Sequence, residues 1–121
     1  MPGTYEVDEF ECTSSEAWHE WLSKHHASST GVWLITHKKA SPEPTLDYED
    51  MVLEALCWGW VDSKVAGVDQ LRSKTYFTPR RANSTWSASN RARVARLFDE
   101  GRMQAPGIEA VEKAQASGRW G

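Results

Sequence analysis

The sequence predicts a small α+β domain, in which a mostly antiparallel sheet carries helices packed mainly on one face. Residues 60–68 and 73–78 are two strand-like stretches joined by a short loop, which is typical of an antiparallel hairpin. Residues 32–39 are bulky and β-branched, and they are continuous enough to be a strand buried on both faces. Segments with helical apolar spacing lie between and after these stretches, so the predicted order is β-α-β-α-β-β-α-α.

The first half of the chain begins with residues 5–11, whose alternating polarity predicts a short acidic strand. Thr13 and Glu16 have the spacing of a capping box, which predicts the start of the first helix. Asp47 is the expected cap of the second helix, and Gly59 is expected to end it.

The second half places Asp62 and Lys64 on one face of the first hairpin strand, because side chains alternate along a strand. Asn83 or Ser84 is the expected cap of the third helix. The apolar stripe of that helix is predicted to contain Trp86, Asn90, Val94, Leu97 and Phe98. Residues 106–118 form a last short helix that begins with proline and ends with glycine. One core is expected to hold Trp33, Ile35, Met51, Val52, Ala55, Leu56, Val61, Val94, Leu97 and Phe98.

Length and charge indicate a single domain over residues 1–121 that is not a general nucleic-acid binder, since the net charge is −3. Residues 1–62 carry twelve acids against three lysines, whereas residues 72–102 carry eight Lys or Arg against two acids. This asymmetry creates local fields despite the small net charge. The chain has no apolar run of the ~18 residues that a membrane span needs. It has no signal-peptide pattern, and its two cysteines are widely spaced, so we expect a cytoplasmic protein.

The strongest candidate site lies where the second hairpin strand runs into Arg80 and Arg81 and then into the third helix. A helix N-terminus presents free amides, and arginine offers a planar fork for a carboxylate or phosphate. Tryptophan adds flat apolar surface. We therefore expect a pocket for a small anionic or planar ligand, bordered by Arg80 and by at least one nearby tryptophan. The candidate residues are Trp58, Trp60, Asp62, Lys64, Arg80, Arg81, Ser84, Trp86, Ser87 and Asn90.

A structural alternative accounts for the same residues. Ser84 or Ser87 would then only cap the helix, and the tryptophans would belong to the core. The arginines would pair with Asp62 or Glu54 across the fold.

The sequence offers little for catalysis or metal binding. Glu54 and Asp62 suggest acid–base chemistry, but no histidine, serine or cysteine is placed to work beside them. Cys57 is expected to be a small buried hydrophobe, unless Arg80 lowers its pKa. The histidines lack metal-ligand spacing and are expected at the surface and at helix ends; they are His19, His25, His26 and His37. No catalytic residue, cofactor or metal is predicted.

The third helix has a basic outer face formed by Arg91, Arg93, Arg96 and Arg102. Such a face is either solvated or in contact with an acidic partner, for example the acidic half of a second copy of this chain.

Three segments resemble the YdeI/OmpD-associated (bacteriocin-protection) protein family. They are YEDMVLEALCWGWVDS at 48–63, YFTPRRANSTWSASNRARVARLFDEGRM at 76–103, and GIEAVEKAQASGRW at 107–120. The upstream segments EAWHEWLSKHH and GVWLITHKK fit as well, so the resemblance covers nearly the whole chain. The chain departs from the family pattern in having Ser63 where glycine is frequent, and in lacking the basic C-terminal helical segment of longer members.

The resemblance implies a role in protecting bacteria against envelope-directed stress, and it implies no established catalytic residue. The sequence thus favours a cytoplasmic stress-protection protein that binds an anionic small molecule or an acidic protein segment. Two other classes stay open: an enzyme that uses Asp62 or Glu54 as a base on a small acidic substrate, and an oligomerisation module.

Overall fold

The computed structural model describes residues 8–81 and 84–121. Its elements follow the predicted order β-α-β-α-β-β-α-α, which confirms the predicted fold class. They are β1 (Asp8–Glu11), α1 (Ser15–His25), β2 (Val32–His37), α2 (Tyr48–Cys57), β3 (Trp60–Gly67), β4 (Arg72–Pro79), α3 (Ala88–Asp99) and α4 (Ala105–Ser117). The predicted start of the first strand, at residues 5–7, lies outside the described residues.

The four strands form one sheet in the order β1-β2-β4-β3. β1 runs parallel to β2, and the other two pairs are antiparallel. The core between the sheet and the helices includes Trp18 and Leu22 of α1, Leu34 of β2 and Phe77 of β4, all of which are inaccessible to solvent. α2 is the central helix, and each of its residues from Met51 to Cys57 is buried.

Two helix caps differ from the prediction. The first helix is capped by Ser14, which accepts a hydrogen bond from the Ala17 amide. Thr13 is not the cap, because the amide of Cys12 still donates to the carbonyl of Ile35 and so extends the strand pairing. α3 is capped by Ser87 rather than Ser84, and the other predicted cap, Asn83, lies outside the described residues.

The predicted apolar stripe of α3 is only partly correct. Val94 and Leu97 are buried as predicted. Phe98 is 45% exposed, because it follows Leu97 by one residue and therefore points about 100° away on a helix. Trp86 precedes the helix instead of lying on its stripe, but it is buried. Trp33 and Val61 are only half-buried. The remaining predicted core residues are buried, namely Ile35, Met51, Val52, Ala55 and Leu56.

The face assignment on β3 is also wrong, because the strand has a bulge. Asp62 lies opposite Phe77, and Lys64 lies opposite Tyr76, so Ser63 has no partner of its own in the ladder. An extra residue reverses the alternation of side chains beyond it. Asp62 and Lys64 therefore lie on opposite faces of the sheet.

Close backbone contact docks α4 against the end of α2. A Cβ atom on Gly107 would lie 2.3 Å from the carbonyl oxygen of Cys57, so only glycine fits there. The Gln104 amide donates to that same carbonyl at 3.0 Å. Gly59, with φ of 77°, turns the chain from α2 into β3 directly beside Pro106. This docking places the first turns of α4 next to the start of β3.

No helix in the described ranges is long and apolar enough to cross a membrane. Both cysteines are free and buried. Burial, reinforced by the charge of Glu54, raises the pKa of Cys57 to about 12, which is opposite to the lowered pKa that a reactive thiol at this position requires.

Candidate functional site

A pocket of about 280 Å³ lies between the β3–β4 end of the sheet and α4. Three tryptophans, two prolines and two alanines give it apolar walls, and five charged or ionisable side chains border it. Its lining residues are His26, Trp58, Gly59, Trp60, Pro79, Arg80, Arg81, Trp86, Pro106, Glu109, Ala110, Lys113 and Ala114. The predicted juxtaposition of Arg80 with nearby tryptophans is therefore present, and all three tryptophans are both buried and part of the pocket wall.

Arg80 is held at the end of β4 by its neighbours on both sides. Its amide donates to the carbonyl of Gly59 at 2.9 Å. Its guanidinium lies over the indole of Trp86, with Cζ 3.8 Å from the ring centroid. Nη2 donates to the carbonyl of Thr85 at 2.9 Å. The chain thus folds back so that residues 84–87 support the arginine from one side.

The charge of Arg80 is poorly compensated. Its Nε and Nη1 are buried and have no hydrogen-bond partner within residues 8–81 and 84–121. Burial lowers the pKa of the guanidinium, and the charge of Asp62 opposes that change only in part. Unpaired buried donors are costly, so an acceptor brought to this arginine would be favourable.

Trp86 is in turn held in place by Arg119 and Trp120, which follow α4. Its ring packs against that of Trp120, with centroids 5.1 Å apart. Its amide donates to the carbonyl of Arg119 at 3.2 Å. The segment after α4 therefore buttresses the wall that carries Arg80 and Trp86.

Trp58 is positioned by a polar cluster behind the pocket. Its indole Nε1 donates to the carboxylate of Glu54 at 3.2 Å, and Glu54 is only 5% exposed. The same carboxylate bonds to Nδ1 of His19 and lies 3.5 Å from Nη2 of Arg102. The ring of His26 packs on Trp58, with centroids 4.8 Å apart. Because its donor is used inside, the indole of Trp58 offers no hydrogen bond to the pocket.

Five of the predicted site residues do not line this pocket. Asp62 accepts a hydrogen bond from the hydroxyl of Tyr48 at 2.7 Å. Ser87 caps α3 by accepting from the Asn90 amide, and the side chain of Asn90 accepts from Arg93. Ser84 lies in the loop before α3 and is half-buried. The N-terminus of α3 is therefore a capped helix end, as in the structural alternative, and α4 forms the pocket wall in its place.

Lys64 belongs to a separate cluster on the other face of the sheet. Its Nζ lies 5.6 Å from the ring centroid of Trp33 and 5.3 Å from that of Tyr76. Lys74 also lies over Trp33, and it pairs with Glu9 at 3.1 Å. Since the bulge at Ser63 reverses the strand face, Lys64 cannot join the pocket.

The predicted ion pairs of the two adjacent arginines are not found among the described residues, since the carboxylates of Asp62 and Glu54 have other partners. The basic face of α3 is also largely satisfied within the chain. Arg93 forms two hydrogen bonds with Glu49. Arg96 and Arg102 pair with carboxylates as well.

Sequence reasoning missed the contributions of α4 and of the histidines. Glu109 and Lys113 stand four residues apart and pair at 3.7 Å, a spacing that occurs on any exposed helix and does not indicate a pocket. His19 and His26 were expected at the surface and at helix ends, and His26 is indeed the residue that ends α1. Their rings also contact Trp58, which the sequence did not indicate. His37 is 8% exposed and pairs with Glu11. Within the described ranges no three His, Cys, Asp or Glu side chains are grouped as a metal site requires.

Comparison with known proteins gives a family but no described activity. No curated protein and no solved structure matches the chain. A family model described as a domain of unknown function (DUF8412) matches residues 10–110. The match includes every lining residue of the pocket except Lys113 and Ala114. The chain therefore belongs to the DUF8412 family.

Proposed function

We propose that this protein binds a small anionic molecule in the pocket walled by Trp58, Trp60, Trp86 and Arg80. The observation that carries the proposal is the state of Arg80: a guanidinium at the pocket wall, stacked on an indole, with two of its nitrogens buried and unpaired in the described part of the chain. A buried charge without a partner costs free energy, and such costs are typical of sites prepared for a ligand.

The charges around the pocket support an anion as the ligand. Arg80 and Arg81 both border it, whereas Glu109 is the lone acidic side chain among its lining residues and is paired with Lys113. The local charge is therefore positive although the chain as a whole is negative. Positive charge focused in a small concavity attracts anions well beyond contact distance.

The volume supports a small molecule over an acidic protein segment. About 280 Å³ is at the lower end of the range for small-molecule pockets. An acidic protein segment is the second ligand class for this site, and it would insert a single carboxylate side chain.

Thermal-shift measurements with acetate, benzoate and phosphate test the proposal, since a ligand that binds the folded state raises its melting temperature. At least one of these anions should stabilise the wild-type protein in a concentration-dependent way. Arg80→Gln should remove the shift. Arg96→Gln, which makes the same change in net charge away from the pocket, should retain it. Wild-type protein that responds to none of the anions, or an Arg80→Gln variant that responds equally, would overturn the proposal.

We also propose that the chain is a cytoplasmic relative of the YdeI/OmpD-associated proteins and acts in protection against envelope-directed stress. The support is the set of long tryptophan-rich motifs in its sequence, two of which supply Trp58, Trp60, Arg80, Arg81 and Trp86 to one pocket. Loss of the gene should increase sensitivity to bacteriocins. Wild-type protein should restore resistance and Arg80→Gln should not; equal sensitivity with and without the gene would remove this proposal.

An enzyme is the second candidate, because the Glu54 carboxylate bonds to Nδ1 of His19 and so directs the opposite ring nitrogen, Nε2, away from it. A carboxylate that orients a histidine in this way is a common arrangement in acid–base catalysis. Asp62, the other proposed base, instead accepts from Tyr48. Turnover of a bound aromatic or aliphatic acid that Glu54→Gln abolishes without loss of binding would establish this class, and binding without turnover would exclude it.

A further inference from the structure

We infer that the ligand of the pocket is a small aromatic monocarboxylate, with its ring against the tryptophan-lined wall and its carboxylate at Arg80. This inference rests on the proposed function and narrows it from anions in general to one chemical class. It follows from the shape, the polarity and the charge of the pocket wall.

The walls favour a ring over an inorganic anion. Trp58, Trp60 and Trp86 line the same concavity, and Pro79 and Pro106 extend its apolar surface. A sulfate- or phosphate-sized ion would leave most of this surface in contact with water. A ring would displace that water, and burial of apolar surface is the main source of affinity in such pockets.

The indoles also favour a planar ring over a flexible apolar chain. Aromatic rings pack against one another in offset or edge-on geometry and gain attraction beyond the apolar area that they bury. Trp58 offers only carbon to the pocket, because its Nε1 donates to Glu54. Trp58 can therefore contact a ligand only through the carbon atoms of its ring.

The charge favours one carboxylate over a nucleotide or another polyanion. With Glu109 and Lys113 paired at 3.7 Å, the cations left at the pocket are Arg80 and Arg81. The guanidinium of Arg80 lies over the indole of Trp86, and its planar fork of N–H groups matches the two oxygens of one carboxylate. A pocket of about 280 Å³ suits one or two rings with a carboxylate and is small for a base, a sugar and a phosphate together.

A series of matched ligands tests the inference on the unmodified protein, so that folding of variants does not enter. Titration calorimetry would compare benzoate with acetate, which lacks the ring, and with cyclohexanecarboxylate, whose ring is neither flat nor aromatic. Benzamide replaces the carboxylate by a neutral group of the same shape, and phosphate is the inorganic control. Benzoate should bind on the order of tenfold or more tightly than acetate, phosphate and benzamide. It should also bind more tightly than cyclohexanecarboxylate.

The outcomes separate the two proposals. Acetate or phosphate that binds as tightly as benzoate would overturn the aromatic class and leave anion binding intact, as would cyclohexanecarboxylate that binds as tightly. Benzamide that binds as tightly as benzoate would overturn both, as would no binding by any of the acids. In Arg80→Gln the affinity for benzoate should fall to that of benzamide. In Arg96→Gln it should be unchanged, and a loss of affinity there would show that net charge, not the pocket, controls binding.

Discussion

The guanidinium of Arg80 stacks on the indole of Trp86 at 3.8 Å, and this contact supports a charge whose Nε and Nη1 have no acceptor in the described ranges. A cation–π contact contributes about 0.5–2 kcal/mol, whereas an unsatisfied buried donor costs about 1–3 kcal/mol. The two effects are of similar size and opposite sign. We therefore expect Arg80 to contribute little net stabilisation to the folded chain.

Replacement of Arg80 by methionine should leave the free energy of unfolding within about 1 kcal/mol of the wild type or raise it, because the unpaired donors are removed and the stem still packs on Trp86. Urea denaturation measures this. Arg93→Met is the matched control. Arg93 is paired with both Glu49 and Asn90, so its loss should destabilise by up to about 1 kcal/mol. A larger loss of stability in Arg80→Met than in Arg93→Met would contradict the idea that Arg80 is uncompensated.

Gly107→Ala should destabilise the protein by about 1–3 kcal/mol or more, because the new Cβ would lie 2.3 Å from the carbonyl oxygen of Cys57 and backbone cannot easily yield. Thermal unfolding followed by circular dichroism gives the measurement. Gly67→Ala serves as the comparison, since a Cβ there meets nothing within 4 Å. Equal stability of the two variants would show that α4 can shift away from α2 at little cost.

Glu54→Gln should destabilise by about 1–3 kcal/mol, and Glu54→Ala by more, because His19, Trp58 and Arg102 all contact this buried carboxylate. Glutamine keeps an acceptor for the indole N–H, which alanine does not. The indole Nε1–H resonance of Trp58 should therefore move modestly in Glu54→Gln and strongly in Glu54→Ala. A Trp58 resonance that is unchanged in both variants would mean that Glu54 does not hold this side of the pocket.

The hydroxyl of Tyr48 should lose its proton at a higher pH than an ordinary tyrosine does. Its hydrogen bond to Asp62, together with burial and the charge of that carboxylate, raises the pKa of Tyr48 to about 12 from 10.0. The folded-state pKa exceeds the unfolded one, so the stabilisation is fully present below pH 10 and is lost as the pH rises toward 12. Asp62→Asn should lower the pKa of Tyr48, as followed by phenolate absorbance. The Tyr48→Phe variant lacks this phenolate and so identifies which step in absorbance belongs to Tyr48. If that step occurs at the same pH in Asp62→Asn as in the wild type, the hydrogen bond to Asp62 is not the cause of the raised pKa.

The fold could be predicted from the sequence because each helix and strand is indicated by the pattern of residues within its own segment. The hairpin of β3 and β4, the buried strand β2 and the apolar stripe of helix α2 each follow from patterns within one segment. The bulge at Ser63 was not predictable, since one unpaired residue in a strand leaves no trace in the polarity of its neighbours. It moved Lys64 away from the candidate site.

The site was predictable only in part for a different reason. Arg80 and Trp86 lie close together along the chain, so sequence order alone brings them near each other. Glu54 and His19, which hold Trp58, are 35 residues apart, and their contact depends on how α1 packs on α2. The α4 wall depends on the fit of Gly107 against Cys57, which no composition or spacing reveals.

The docking of α4 through Gly107 has a consequence for motion. One wall of the pocket is formed by α4, through Pro106, Glu109, Ala110, Lys113 and Ala114. Movement of this helix away from α2 would therefore open the pocket while the sheet stays folded. Because α4 packs mainly on α2, it has few tertiary contacts, and such segments can open in this way at a lower free energy than the whole domain. Amide hydrogens in α4 should then exchange with solvent faster than those of β4. An occupied pocket should slow α4 exchange selectively, so that deuterium uptake in this one helix would report occupancy.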